Sequence, residues 1–139
     1  MHLKVVMADE SIITYDKLYD TLRSEKYKKE IQKLDPNFNT QVIEYLNEKK
    51  SILQSQESKD SLFVSQSITK TKRQLENARI ILKEIYEKRE GKIVQIALFN
   101  SRTGEKLQEV DALLEEEVNF YNVLAAFLNL HRKRILNNI

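Results

Sequence analysis

Glu115-Glu116-Glu117 is the densest run of acidic side chains in the sequence, and the first place to look for acid–base or metal chemistry. Such chemistry needs carboxylates converging on one face, whereas consecutive helical residues point about 100° apart. The run therefore reads as the solvated first turn of a helix. Histidine offers no alternative. His2 and His131 are the only two, with most of the chain between them, and His2 falls in a terminal segment. A zinc site or a triad built on histidine would need both. There is no cysteine, so no thiolate nucleophile, thiolate metal site or disulfide framework. Neither a Glu-x-x-His pair nor a phosphate-cradling glycine loop occurs. The sequence reads as a non-enzyme, with no catalytic residue, no metal ligand and no cofactor.

Two other groups of residues carry binding chemistry. Lys70, Lys72, Arg73, Arg79, Lys83, Lys88, Arg89 and Lys92 are interleaved with Glu76, Glu84, Glu87 and Glu90, a local excess of basic charge on one segment. Lys72, Arg73, Arg79 and Lys83 are the candidates for contact with a phosphate backbone. The competing reading is a solvated helix face laced by pairs such as Glu84–Lys88. Arg89 stands apart, because it lies on an apolar stripe between Ile85 and Ile93. A guanidinium there needs a carboxylate or backbone carbonyls, and the glutamate-rich last segment offers them. Arg89 is expected to form a structural ion pair.

The last segment is apolar along two rows. Leu114, Val118, Tyr121, Ala125 and Leu128 form one, and Leu113, Phe120, Leu124 and Phe127 the other. A surface helix needs a single stripe of modest width. Two rows mean either burial against two neighbours, one of them in another subunit, or a wholly internal helix. On the first reading Leu113, Phe120, Leu124 and Phe127 are the subunit-interface candidates.

The elements that must position these residues are helical. Two glycines and one proline in 139 residues leave too few turn formers for a β-rich chain. A helical face begins after Thr14, a candidate N-cap, and runs through Tyr15, Leu18, Tyr19, Leu22, Tyr27, Ile31 and Leu34. Asp35-Pro36 ends it and starts a second helix, with Asp35 as cap and Pro36 at the first helical position. That helix carries Phe38, Val42, Ile43, Leu46, Ile52 and Leu53. "SQESKDS", residues 55–61, reads as a loop, with Asp60 or Ser61 capping the third helix.

"REGKIVQIALFN", residues 89–100, is the ambiguous stretch: a strand opened by Gly91, or the end of one long helix. The apolar stripe of Ile68, Leu75, Ala78, Leu82, Ile85, Arg89, Ile93 and Ile96, widened by Ile81, Tyr86 and Ala97, crosses Gly91 in phase. A strand would restart at a period of two. One helical glycine costs about 1 kcal/mol, so a continuous helix to about Phe99 is expected. Gly104 is the natural turn residue of the next connection, and the last helix starts at about Asp111. The expected fold is all-α, a bundle of four to five helices with one long third helix. Residues 1–13 form an N-terminal segment in which Met7 is a second candidate start, and 14–139 one helical domain.

Charged residues are 32% of the chain, yet 23 basic and 21 acidic side chains nearly cancel. That balance lacks the clear basic excess of a dedicated nucleic-acid binder. No stretch approaches the roughly 20 apolar residues of a membrane span, and the N-terminus turns polar too soon for a signal peptide. A soluble, cytoplasmic protein is expected.

"QLENARIILKEIYEKREGKIVQIALFNSR" followed by "LLEEEVNFYNVLAAFLNLHRKRIL", with the earlier "YDKLYDTLRSEKYKKEIQKLDPNF", resembles an archaeal GINS subunit of the class that carries its helical A domain first. The likeness covers residues 14–136 and rests on an ordered set: Leu-x-Asp-Pro at the helix break, Ala-Arg-x-x-Leu-x-Glu-Ile in the long helix, and Glu-Glu-x-x-x-Tyr-x-x-Leu in the last. It implies a helical A domain and a non-catalytic replication role, in a nucleoid-associated tetramer of GINS subunits. It implies the MCM helicase and a RecJ-related protein as partners, with DNA contact weak or indirect. The sequence departs from the class at Ile139, where no room remains for the small β-type B domain. The alternative function is a free-standing helical nucleic-acid-binding protein using the basic 70–92 face.

Overall fold

The computed structural model describes residues 12–59 and 62–139. Among them are four α-helices and no strand. They are α1 (Tyr15–Tyr27), α2 (Phe38–Glu57), α3 (Leu62–Thr103) and α4 (Glu115–Leu136), with a single 3-10 turn at Val110–Ala112 before α4. The all-α expectation holds, and α3 passes through Gly91 to Thr103 without a break. His2, Met7 and the caps expected at Asp60 and Ser61 lie outside the described residues, as does most of the segment 1–13.

Thr14 starts α1 as its sequence position implies, its Oγ1 accepting the Lys17 amide at 3.2 Å. The helix ends at Tyr27, however, well short of Leu34. The reason is polar. Lys92 Nζ takes the Glu25 and Glu30 carbonyls at 2.6 and 3.0 Å, and Arg89 takes the Gln32 carbonyl at 2.7 Å. Residues 28–34 thus leave the helix, with the Glu30 and Gln32 carbonyls turned to Lys92 and Arg89, while Ile31 and Leu34 stay buried. Pro36 and Asn37 form a turn, and α2 starts only at Phe38 with no side-chain cap. Asp35 is therefore not its N-cap. The buried face of α2 is Phe38, Gln41 and Tyr45, while Ile43 is exposed.

The chain divides into two compact units. The first takes residues 12–23 and Asn37–Glu84, with Leu18, Leu22, Phe38, Tyr45, Leu75, Ala78 and Ile81 buried. The second takes Ser24–Pro36 and Ile85–Ile139. Its core is Ile31, Ile93, Ala97, Leu113 and Tyr121, flanked by Ile96, Val118, Leu124, Ala125 and Leu128. Tyr86, expected to widen the α3 stripe, is exposed. Gly104 ends α3 in the left-handed region (φ +77°), its amide donating to the Asn100 carbonyl at 2.9 Å. Glycine alone adopts that φ at no steric cost.

Candidate functional site

Two features of the second unit bear on function: a charge network inside it and an apolar stripe outside it. Arg89 is buried, and all five of its N–H donors are occupied. Nε and Nη2 donate to the two Glu117 oxygens, each at 2.7 Å, in a fork. Nη1 donates to Glu25 Oε1 and to the Gln32 carbonyl, each at 2.7 Å, and Nη2 also reaches the Ala112 carbonyl at 3.1 Å. Glu25, whose side chain is 0% exposed, is held from three sides. Lys92 Nζ donates to its Oε2 at 2.6 Å, and the side-chain amide of Gln32 donates to its Oε1 at 3.0 Å. Burial pushes the Glu25 carboxyl pKa up, but hydrogen bonds from Lys92, Gln32 and Arg89 outweigh it and hold the group below its ordinary range. For Arg89, burial works against the charge, while Glu117 and then Glu25 push the pKa further up.

Glu117 has a second task. Its Oε1 accepts the Leu114 amide at 2.8 Å, taking up a donor at the N-terminus of α4. The helix consequently begins at Glu115 rather than at Asp111. Glu115 and Glu116 are solvated, as the sequence implies, but Glu117 is not: it is an interior anion in the first turn. The network thus joins α1, the 28–34 segment, α3 and α4 within one unit. Both carboxylates are held by cations.

Outside, α4 keeps Tyr121 buried, with Val118, Ala125 and Leu128 packed on the core. Tyr121 Oη accepts the side-chain amide of Asn100 at 2.8 Å. The other row divides. Leu113 precedes the helix and is 9% exposed, a core residue and not an interface candidate. The main chain turns there, through an extended Leu113, which drives its side chain inward. Leu124 sits between core and surface. Phe120 and Phe127 face out, at 39% and 67% exposure, together with Val123 at 57% and Leu130 at 47%. Val123 and Leu130 were not among the sequence candidates, though steps of three, four and three from Phe120 to Leu130 define one helical stripe.

The basic candidates do not form a matching site. Lys72, Arg73, Arg79 and Lys83 are exposed on α3, in the first unit. Helical spacing puts Lys72, Arg79 and Lys83 on one face with Glu76 among them, and turns Arg73 about 100° away. Lys92, at the end of the basic run, is spent on Glu25. Among the described residues no three histidine or carboxylate side chains converge to hold a metal ion, and no helix is long and apolar enough to cross a membrane. No family model, curated protein or solved structure matches the chain.

Proposed function

We propose that this chain is a non-catalytic assembly subunit of the GINS type, which joins other subunits through α4 and supports a replicative helicase. The observation that carries the reading is the outer stripe of α4. Phe120, Val123, Phe127 and Leu130 are exposed side by side on a helix whose opposite face already fills the core. A contiguous apolar patch on the surface of a chain usually marks a partner site, and aromatic anchors dominate interface energy. The resemblance in residues 14–136 supplies the rest: the replication role, the tetramer, and the MCM and RecJ-related partners. Arg89 with Glu25 and Glu117 is, on this reading, the framework that aims α4.

The test is light scattering on the whole chain, alone and with coexpressed candidate subunits, for the parent and for Val123→Gln with Phe127→Gln, both exposed. The double variant is expected to keep its helical circular dichroism and to lose association. Unchanged association in every combination would remove α4 as the assembly surface, and the reading with it.

A further inference from the structure

We propose that the segment from Lys26 to Lys33 is a contact surface for single-stranded nucleic acid. Lys26, Lys28, Lys29 and Lys33 are exposed, and none of them is ion-paired among the described residues. Glu30 is the one carboxylate that stands among them at the surface. Glu25, the next acid toward the N-terminus, is buried and held by Lys92 and Arg89, so its charge is neutralised from inside. What remains outside is strongly basic, a local excess that the near-neutral balance of the whole chain conceals. On α3, by contrast, Lys72, Arg79 and Lys83 share their face with Glu76, and Lys83 has a partner of its own.

The class of partner follows from Tyr27. It ends α1 with 78% of its surface exposed, amid these lysines, and the Lys26 ammonium lies 6.0 Å over its ring. The uncovered face of the ring is a platform on which an unpaired base can stack, while the lysines take the phosphates. Bases in a duplex are already stacked on one another and cannot use it. A bilayer surface would need exposed apolar side chains beside the cations, but Ile31 and Leu34 are buried. The backbone is held from within, since Lys92 takes the Glu25 and Glu30 carbonyls and Arg89 takes that of Gln32. The lysines therefore stand on a pinned loop. Four lysines and one ring make a small site, so a Kd on the order of 10 µM at about 50 mM salt is expected. The segment shares no residue with the outer stripe of α4, so this contact and the assembly reading can fail separately.

Fluorescence anisotropy of labelled oligothymidylate and oligouridylate, about 20 nucleotides long, titrated with the whole chain, reads the contact and separates DNA from RNA. The parent is expected to bind at least one of them, with log Kd rising by about 0.7 per log unit of salt for each phosphate neutralised. Lys28→Gln with Lys29→Gln should lower that slope by about 1.4. Tyr27→Ala should weaken binding at least about fivefold, the lower end of what stacking one base contributes. Tyr27→Phe should keep the parental affinity, because its ring still stacks. All three positions are exposed, and circular dichroism of each variant keeps loss of binding distinct from loss of fold. No binding to either strand at about 100 µM chain and about 50 mM salt overturns the proposal, as does a Lys28, Lys29 double variant that binds like the parent. Loss of binding in Lys72→Gln with Arg79→Gln would move the contact to α3 and overturn it equally. A duplex of the same length that binds more tightly, with Tyr27→Ala indistinguishable from the parent, overturns the assignment to single strands.

Discussion

Replacing Arg89 by methionine removes the cation that ties α4 to α1 and to the 28–34 segment, and the structure sets the size of the effect. The thioether fills much of the space of the guanidinium stem but donates nothing. Glu117 loses its fork and keeps only the Leu114 amide, while the Gln32 and Ala112 carbonyls lose a donor each. Each buried acceptor left without a partner costs about 1–3 kcal/mol, and breaking a buried ion pair by removing one partner costs about 3–5 kcal/mol. Two features hold the sum near the lower figure. Lys92 still neutralises Glu25, and the Glu117 side chain, 17% exposed, can turn toward water. A loss of about 3 kcal/mol translates, for a chain of this size, into a melting temperature lower by roughly 10 °C. Thermal melts at neutral pH followed by circular dichroism measure it, with Lys88→Met on the exposed side of α3 as the control. An Arg89→Met melt within about 3 °C of Lys88→Met, less than 1 kcal/mol on that scale, would refute the view that the network stabilises the unit.

Three further outcomes are expected. Because the folded Glu25 carboxyl lies below its ordinary value of 4.5, the unfolded chain takes up its proton first as pH falls. Its contribution is thus complete above about pH 4.5 and lost as pH drops through the folded value, so urea titrations from pH 6 to 3 should show a shallower acid loss for Glu25→Gln than for the parent. Gly91→Ala should stabilise the chain by about 1 kcal/mol, since an added Cβ at this helical position meets nothing within 4 Å; a lower melting temperature would contradict the packing described. Tyr121→Ala with Leu128→Ala should cost at least about 3 kcal/mol by removing core volume and the Asn100 partner, in contrast to the outer pair Val123 and Phe127, and denaturant melts would separate the two.

The helical architecture was legible because the apolar stripe of α3 keeps its phase across Gly91: Ile85, Arg89 and Ile93 are all buried. Arg89 itself was legible as a charge in an apolar stripe. Its partner in α1 carried the same signature, since Glu25 follows Leu18 and Leu22 on one buried face. Two opposite charges, each interrupting an apolar row, could have been matched to each other. What hid the pair was the expected extension of α1 to Leu34, which only the carbonyl demands of Arg89 and Lys92 overrule. Glu117 was hidden for a different reason. Three consecutive glutamates are indistinguishable by composition, and which of them turns inward depends on where the helix starts. The displacement of Leu113 has that same origin: it precedes the helix, so helical spacing does not describe it.

Glu117 also fixes something beyond the interior. A side chain gripped by two bonds from Arg89 acts as a key in a slot, setting the azimuth of a stiff rod. Which residues of α4 look outward is decided at its first turn, about 20 Å of helix before Leu130. The outer positions can then change their chemistry without re-aiming the helix or disturbing what lies beneath it. The lock stays inside, and the outward side chains of α4 take no part in it.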